Sequence, residues 1–319
     1  MRLVTTALLG AIVGLAGTAA AHAEFPEKPI RLVIPFGAGG GSDGLARAVQ
    51  AAIEKNDLLP VPLVVVNAEG AAGTVGSRQV LDAEPDGYTI LQIHQEMFAV
   101  SAVGRVEYTP DDFEPIIQAT QGCMYLAVPV DSEFTSLEDL IAHAKENPGA
   151  LKQADDIGGV THFPSAQLMR QADAEWTIVP TGATSARFAA LKGGFADMAL
   201  MSAPWLDRGK EDLRALASLT EERFEAAPDL PTAKELGYDV TSCLARRYWA
   251  PAGTPQENID ILADAIEAAV QTDEVQQYIA ESNEETVLLR GEELREAVKA
   301  DYQSFVDVAD VVRGSAPKQ

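Results

Sequence analysis

Short apolar runs and helical patterns alternate along this chain from Ile30 to about residue 219, and then the alternation stops. Ile30-Arg-Leu-Val-Ile-Pro-Phe36 reads as a strand ending in a glycine-rich turn. Leu45 to Lys55 has helical apolar spacing, with Ser42 or Asp43 able to cap it. Leu63-Val-Val-Val-Asn67 is a continuous apolar run, as expected of a strand covered on both faces. Thr74 to Asp82 then predicts a helix and Tyr88 to Ile93 a third strand. Such alternation specifies an α/β domain with a mainly parallel sheet.

Tyr125-Leu-Ala-Val-Pro-Val130 opens a second unit of the same kind. Ser136 should cap a helix that runs to Asn147 and stops at Pro148-Gly149, and a further helix follows Gly158-Gly159. Trp176–Pro180, Asp197–Met201 and Leu213–Leu219 read as strands, with a helix from Thr184 to Lys192. After Tyr248-Trp-Ala-Pro251 the patterns are helical: Thr254–Gln271, Glu274–Glu281 and Glu292–Val311. A helical block with little sheet of its own must pack on something already built, and returning to the first unit is the simplest way. The chain then crosses twice, near residues 120–126 and 242–248. This divides it into residues 24–123 plus 245–319 as one lobe and 124–244 as the other. Two crossings make a hinge with a cleft between the lobes, and a chain of 319 residues is long enough for two cores.

Residues 1–23 form a leader. One arginine, an apolar stretch from Val4 to Gly17 and Ala21-His22-Ala23 match an export signal cleaved after Ala23. No cysteine follows for a lipid anchor, and no later segment has 18 uncharged apolar residues. Export to the periplasm is therefore expected. Acidic residues number 48 against 24 Lys plus Arg, a net charge of −24. Such a field repels phosphate backbones and anionic headgroups, which argues against nucleic-acid and membrane-surface partners. It also sets a problem, since an anionic ligand must be captured locally against the global field. Cys123 and Cys243 are too far apart in sequence for a C-x-x-C motif, although an oxidising compartment permits them to pair. If the two crossings run side by side, the cysteines become neighbours at the hinge. His94, His143 and His162 are scattered, so no metal site is expected.

The segment Pro35-Phe-Gly-Ala-Gly-Gly-Gly-Ser-Asp-Gly-Leu-Ala-Arg47 satisfies two rival patterns. Gly39-x-Gly41-x-x-Gly44 fits a dinucleotide fingerprint, but Glu69 lies beyond the end of the second strand and free nicotinamide cofactor is not expected outside the cell. No cofactor is assigned. Gly40-x-Ser42-x-Gly44 fits the nucleophile elbow of serine hydrolases, but it sits on the first strand, and His162 is the last histidine with half the chain to come. An exported serine esterase using Ser42 is the alternative function. What both patterns share is a ring of glycine amides at a helix N-terminus, which favours an anion.

Three more strand-to-helix loops lie where ligands of α/β sheets collect: Asn67 to Gly76, Gly158-Gly-Val-Thr-His162 and Pro180-Thr-Gly-Ala-Thr-Ser185. Four such junctions facing one cleft would hold an anion by amides and hydroxyls. His162 is expected either to donate into the cleft or to satisfy local backbone, and Arg187 to lie on a solvated helix face, with a cleft-facing counter-charge as the alternative.

Taken in series, further landmarks carry a family resemblance. They are Phe25-Pro-x-Lys-Pro-Ile30, the Pro35 segment, Pro85-Asp-Gly-Tyr88-Thr, Leu191-Lys-Gly-Gly194 followed by Asp197, Pro231-Thr-x-x-Glu-Leu-Gly237-Tyr and Ala250-Pro-x-Gly-Thr-Pro255. The chain resembles the periplasmic substrate-binding proteins of tripartite tricarboxylate transporters, the TctC or Bug family. The resemblance implies a type II periplasmic-binding-protein fold, two α/β lobes closing on a small organic carboxylate for delivery to membrane transporter subunits. It implies a monomer that turns nothing over. Carried onto this sequence, the ligand residues are Phe36, Gly39, Gly40, Ser42, Asp43 and Asn67 in the first lobe. Facing them are Thr161, His162, Thr181 and Ala183, with Asp197 following the lobe-two glycine pair. Two departures leave the identity of the acid open. The family's Asn-Arg-Pro-Gly-Ala-Gly-Gly loop is here Asn67-Ala-Glu-Gly-Ala-Ala-Gly73, and its Tyr-Lys-Gly-Gly loop is here Thr181-Gly-Ala-Thr-Ser185.

Overall fold

The computed structural model describes residues 25–182, 184–224 and 227–315; the leader and Ala183 lie outside the described residues. Strands β1 (Ile30–Ile34), β2 (Leu63–Asn67) and β3 (Thr89–Ile93) pair in parallel, in the order β2-β1-β3. In β1 and β3 the side chains alternate between two covered faces, whereas β2, at the end of the strand order, buries Leu63 but exposes Val64, which corrects the expectation that it is covered on both faces. Ile30, Leu32 and Ile34 point into one core, under α1 (Gly41–Lys55), α8 (Gln256–Val270) and α9 (Asp273–Glu281). Val33, Leu91 and Ile93 point into another, with Val80 of α2 (Thr74–Leu81) and Met97 and Phe98 of α3 (Glu96–Ala102). Helix α1 buries Leu45, Ala46, Val49, Ala52 and Ile53, an apolar stripe at helical spacing.

The long strand β4 (Phe113–Pro129) belongs to both lobes. From Phe113 to Cys123 it runs antiparallel to β9 (Cys243–Pro251), which in turn pairs with β3. From Met124 to Pro129 it pairs instead with β7 (Met198–Ser202) and β8 (Leu213–Ser218). The change of partners falls at Cys123/Met124, and there Cys123 is disulfide-bonded to Cys243 across the register pair that ends the β4–β9 ladder. The two crossings do run side by side, and the cysteines are neighbours.

In the second lobe β7, β5 (Lys152–Asp155) and β6 (Thr177–Pro180) are parallel neighbours. Helices α4 (Leu137–Glu146) and α5 (His162–Ala172) cover one face, and α6 (Thr184–Lys192) the other, beside α7 (Ala203–Arg208). Ser136 caps α4, its Oγ accepting from Asp139 N at 3.1 Å.

The C-terminal block does more than cover the first lobe. Helices α8 and α9 pack there, and β10 (Glu285–Leu289) pairs with the first half of β4. The last helix, α10 (Gly291–Ser315), lies along both lobes. Leu294 and Val298 join the first-lobe core, whereas Val308 and Val312 are buried in the core of the second. Phe305 stands at the changeover, its ring 6.2 Å from Phe98 and 4.6 Å from Phe163. An amphipathic stripe predicts burial but not against which body, so the pattern alone placed the whole helix on one lobe.

Candidate functional site

The glycine-rich turn between β1 and α1 is shaped by packing. Gly39 has φ +80°, a left-handed turn that favours glycine, and its N–H donates to Asp43 Oδ2 at 2.8 Å. A Cβ on Gly41 would come within 2.8 Å of Arg246 Nη2, and one on Gly44 within 2.3 Å of Tyr278 Oη. The fingerprint spacing thus records close approach by Arg246 and by α9. Asp43 and Asn67 are tied together beneath the turn: Asn67 Nδ2 donates to Asp43 Oδ1 (2.9 Å) and to the Phe36 carbonyl (3.0 Å), and Arg47 pairs with Asp43 at 3.0 Å. Burial raises the Asp43 carboxyl, but donation from Arg47, Gly39 and Asn67 outweighs it and holds the pKa below its ordinary value. These two side chains brace the loop.

Ser42 is buried, and its Oγ accepts from Arg246 Nη1 at 2.9 Å. Its hydroxyl therefore meets a cation where an esterase would present a base. Arg246, on β9, also donates through Nε and Nη2 to Glu284 Oε1 (3.1 and 2.8 Å), and Thr120 of β4 donates to Glu284 Oε2 at 2.6 Å. At the tip of β3, His94 is stacked on Phe36, with ring centroids 5.0 Å apart and planes 8° from parallel. Burial lowers the His94 pKa well below its ordinary value, and the charges of Arg246 and then Arg187 push it the same way. An arginine from each lobe thus acts on His94 and favours its neutral imidazole.

The opposing wall is organised on Asp155, which ends β5 and is fully buried. Asp155 Oδ1 accepts from Thr161 Oγ1 and from Asp156 N (2.7 Å), and Oδ2 from Gln153 Nε2 (2.7 Å). Arg187 Nη2 lies 3.4 Å from Oδ1, while its Nε donates to the Gly182 carbonyl at 2.9 Å. Arg187 is 6% exposed, which corrects the expectation of a solvated helix face. Its aliphatic neighbours on α6 gave no hint, because the carboxylate that buries it arrives from β5. Thr181 donates to the Asp155 carbonyl through N (2.8 Å) and Oγ1 (3.3 Å). His162 is buried, and its Nδ1 accepts from Gly158 N at 3.0 Å, so it does serve local backbone.

The structure therefore brings Phe36, Gly39, Gly40 and Ser42 to the tip of the first lobe and Thr161, His162 and Thr181 to the facing tip of the second. Asp197 is not with them. Its Oδ2 accepts from Lys152 N at 2.7 Å, at the start of β5, the end of that strand opposite Asp155. A glycine pair followed by an acid describes a turn into a strand, and that turn lies at the far edge of the lobe. Sequence reasoning missed His94, Glu96, Asp155 and Arg246. Each sits in a short polar run at the end of an apolar strand or within it, His94-Gln95-Glu96, Asp155-Asp156 and Arg246-Arg247, and those runs were the available signal.

Two parallel-stranded α/β lobes, joined by antiparallel crossing strands and facing each other through strand-to-helix loops, define a two-lobed solute-binding fold. A family model described as tripartite tricarboxylate transporter family receptor, TctC, matches residues 45–303, and the chain belongs to this family of periplasmic solute-binding receptors. Protein BugT of Bordetella pertussis is 28% identical over 322 residues, spanning 98% of this chain and 97% of its own. A protein from the gbd 5′ region of Cupriavidus necator is 30% identical over 291 residues, 89% of this chain and 88% of that one. Among solved structures, MatC from Rhodopseudomonas palustris with bound malate superposes with TM-score 0.79 at 25% identity, covering 89% of this chain and 100% of that one. An adipate-bound protein of R. palustris superposes with TM-score 0.82 at 25% identity, covering 91% and 98%. Among the described residues, no helix is long and apolar enough to cross a membrane, and no cluster of His, Cys, Asp and Glu is set to hold a metal.

Proposed function

We propose that this protein is exported, cleaved after Ala23, and captures a small organic carboxylate between its lobes for delivery to a tripartite tricarboxylate-type membrane transporter. The observation that carries the reading is a buried arginine at the loop end of each lobe, both acting electrostatically on His94. Arg246 with Ser42 lies beneath the first α1 turn, and Arg187 with Asp155 lies in the second lobe. The malate and adipate held by two similar structures support a carboxylate as the ligand class. Both arginines are already paired with buried carboxylates, so they supply hydrogen-bonding edges and a local field with little net charge. This is how an acidic protein can receive an anion without a bare cationic pocket. Closing expels water and strengthens each of these contacts. The protein works as a monomer and without turnover.

Thermal unfolding of the mature protein against mono-, di- and tricarboxylates tests the proposal. An acid at a thousand times its dissociation constant adds about 4 kcal/mol, a shift of several degrees. A panel that stays flat after the protein has been unfolded and refolded to strip the cleft would refute the carboxylate reading.

A further inference from the structure

Glu96 opens α3 in the first lobe, yet its side chain is bonded to the second. Its Oε2 accepts from Val160 N at 3.1 Å, in the loop that leads into Thr161 and His162. The side chain is buried, and Oε1 has no hydrogen-bond partner. The approach is close enough that a Cβ on Gly159 would sit 3.0 Å from Glu96 Oε1. Nearby, Arg105 Nη1 donates to the Ile157 carbonyl at 3.1 Å, and a Cβ on Gly158 would meet Val103 at 3.2 Å. The stretch from Glu96 to Arg105 is thus seated on the second-lobe loop 156–160, and the burial of Glu96 depends on the lobes being together.

We propose that Glu96 is the clasp by which the first lobe holds the ligand loop of the second, and that the clasp closes by taking up a proton and opens by losing it. The inference rests on the ligand-binding reading above and adds the control of closure to it. Burial raises the Glu96 carboxyl from 4.5 to about 8; the Val160 amide opposes this, Asp156 adds to it, and Arg187 and Arg105 oppose it. The other polar groups around Glu96 are His94, whose Nδ1 accepts from Glu96 N at 3.2 Å, and Tyr108, whose hydroxyl is raised by burial and, to a lesser degree, by Glu96. A buried oxygen without a partner costs far less on a neutral acid than on a carboxylate. When the lobes part, the carboxyl meets water and returns to its ordinary range.

The sign follows from linkage. A carboxyl whose pKa is higher in the closed form favours that form fully below its open-state value. The advantage is lost as pH rises through the closed-form value of about 8. Between those limits closure takes up a proton, and affinity falls up to about tenfold per pH unit.

The decisive experiment is calorimetric titration of the wild-type protein, Glu96→Gln and Asp156→Asn. Malate or adipate serves as the probe, in two buffers of different ionisation heat, from about pH 5 to about pH 9. The wild type should take up about one proton per ligand near neutrality and lose affinity with rising pH. Glu96→Gln, which keeps an oxygen for Val160 N, should bind with neither effect, and Asp156→Asn should retain both. Proton uptake that persists in Glu96→Gln, or is missing from the wild type, overturns the proposal. Scattering of the ligand-free proteins supplies a second arm. The wild type should expand from low to high pH and Glu96→Gln should not; equal curves overturn the clasp. If neither acid binds, the acid that the thermal panel selects becomes the probe, and the scattering arm by itself decides the clasp.

Discussion

At the scale of single residues, buried charge dominates this protein. Arg246 and Glu284 are both nearly inaccessible, and Ser42 and Thr120 supply further polar contacts around the pair. Removing one member of such a pair strands the other in a low-dielectric interior. Arg246→Ala should therefore cost about 3–5 kcal/mol, read as a lowered denaturant midpoint. Ser42→Ala removes one charge-assisted hydrogen bond and should cost about 1.5–3 kcal/mol. Ester hydrolysis by the wild-type protein that Ser42→Ala abolished would instead make Ser42 a nucleophile. Asp43 behaves oppositely to Glu96. Its depressed pKa means that its contribution is present above the ordinary carboxylate range and is lost as pH falls through the lower, folded value. Acid unfolding of Asp43→Asn should accordingly be less steep.

Elements are positioned by glycine at their closest approaches. Gly76 of α2 faces Pro35, and a Cβ there would stand 2.9 Å from Pro35 Cα and 3.0 Å from the Ala68 carbonyl. Backbone on both sides cannot yield, so Gly76→Ala should cost about 1–3 kcal/mol, measurable by equilibrium unfolding. The elements with the plainest patterns were legible in the sequence: β1, β2, β3, β6, β7 and the stripes of α1, α4 and α8. The first half of β4 was not, because its interior carries Gln118 and Thr120, partners of Arg247 and Glu284, and because its register shifts twice against β9. Helix α3 is only seven residues long and buries Met97, Phe98, Ala99 and Val100 in succession, so it presents no polar face from which a period can be read. The site divides the same way. The turn holding Phe36 and Ser42 announces itself through local glycine spacing. Arg187, Arg246 and Glu96 owe their surroundings to residues 30 to 70 or more positions away, which no local pattern reports.

For the whole molecule, the hinge is the shared strand β4 with β9 beside it, pinned by Cys123–Cys243 where the sheets part. The cross-link closes a sequence separation of 120 residues, the whole second lobe. Replacing both cysteines by alanine should lower stability by about 2–5 kcal/mol, seen as a drop in unfolding midpoint that reductant reproduces in the wild type. Phe305, wedged between Phe98 and Phe163, is the corresponding apolar link on α10. Phe305→Ala should cost about 1–3 kcal/mol and broaden the range of lobe angles sampled in scattering.

The pairing of β3 with β9 also has a consequence in time. Leu91 and Ile93 find their strand neighbours at Trp249 and Arg247. A chain emerging from its N-terminus thus presents three finished strands, ending at Ile93, with an open edge that waits for Cys243, roughly half the sequence later. The second lobe has all of its own strands by Ser218, before Cys243–Pro251 caps that edge. Synthesis and assembly are therefore out of step: the lobe that starts first must be finished last. Until β9 arrives, β3 is a template for any other strand, and a holding partner that keeps the early chain unfolded protects it from mispairing.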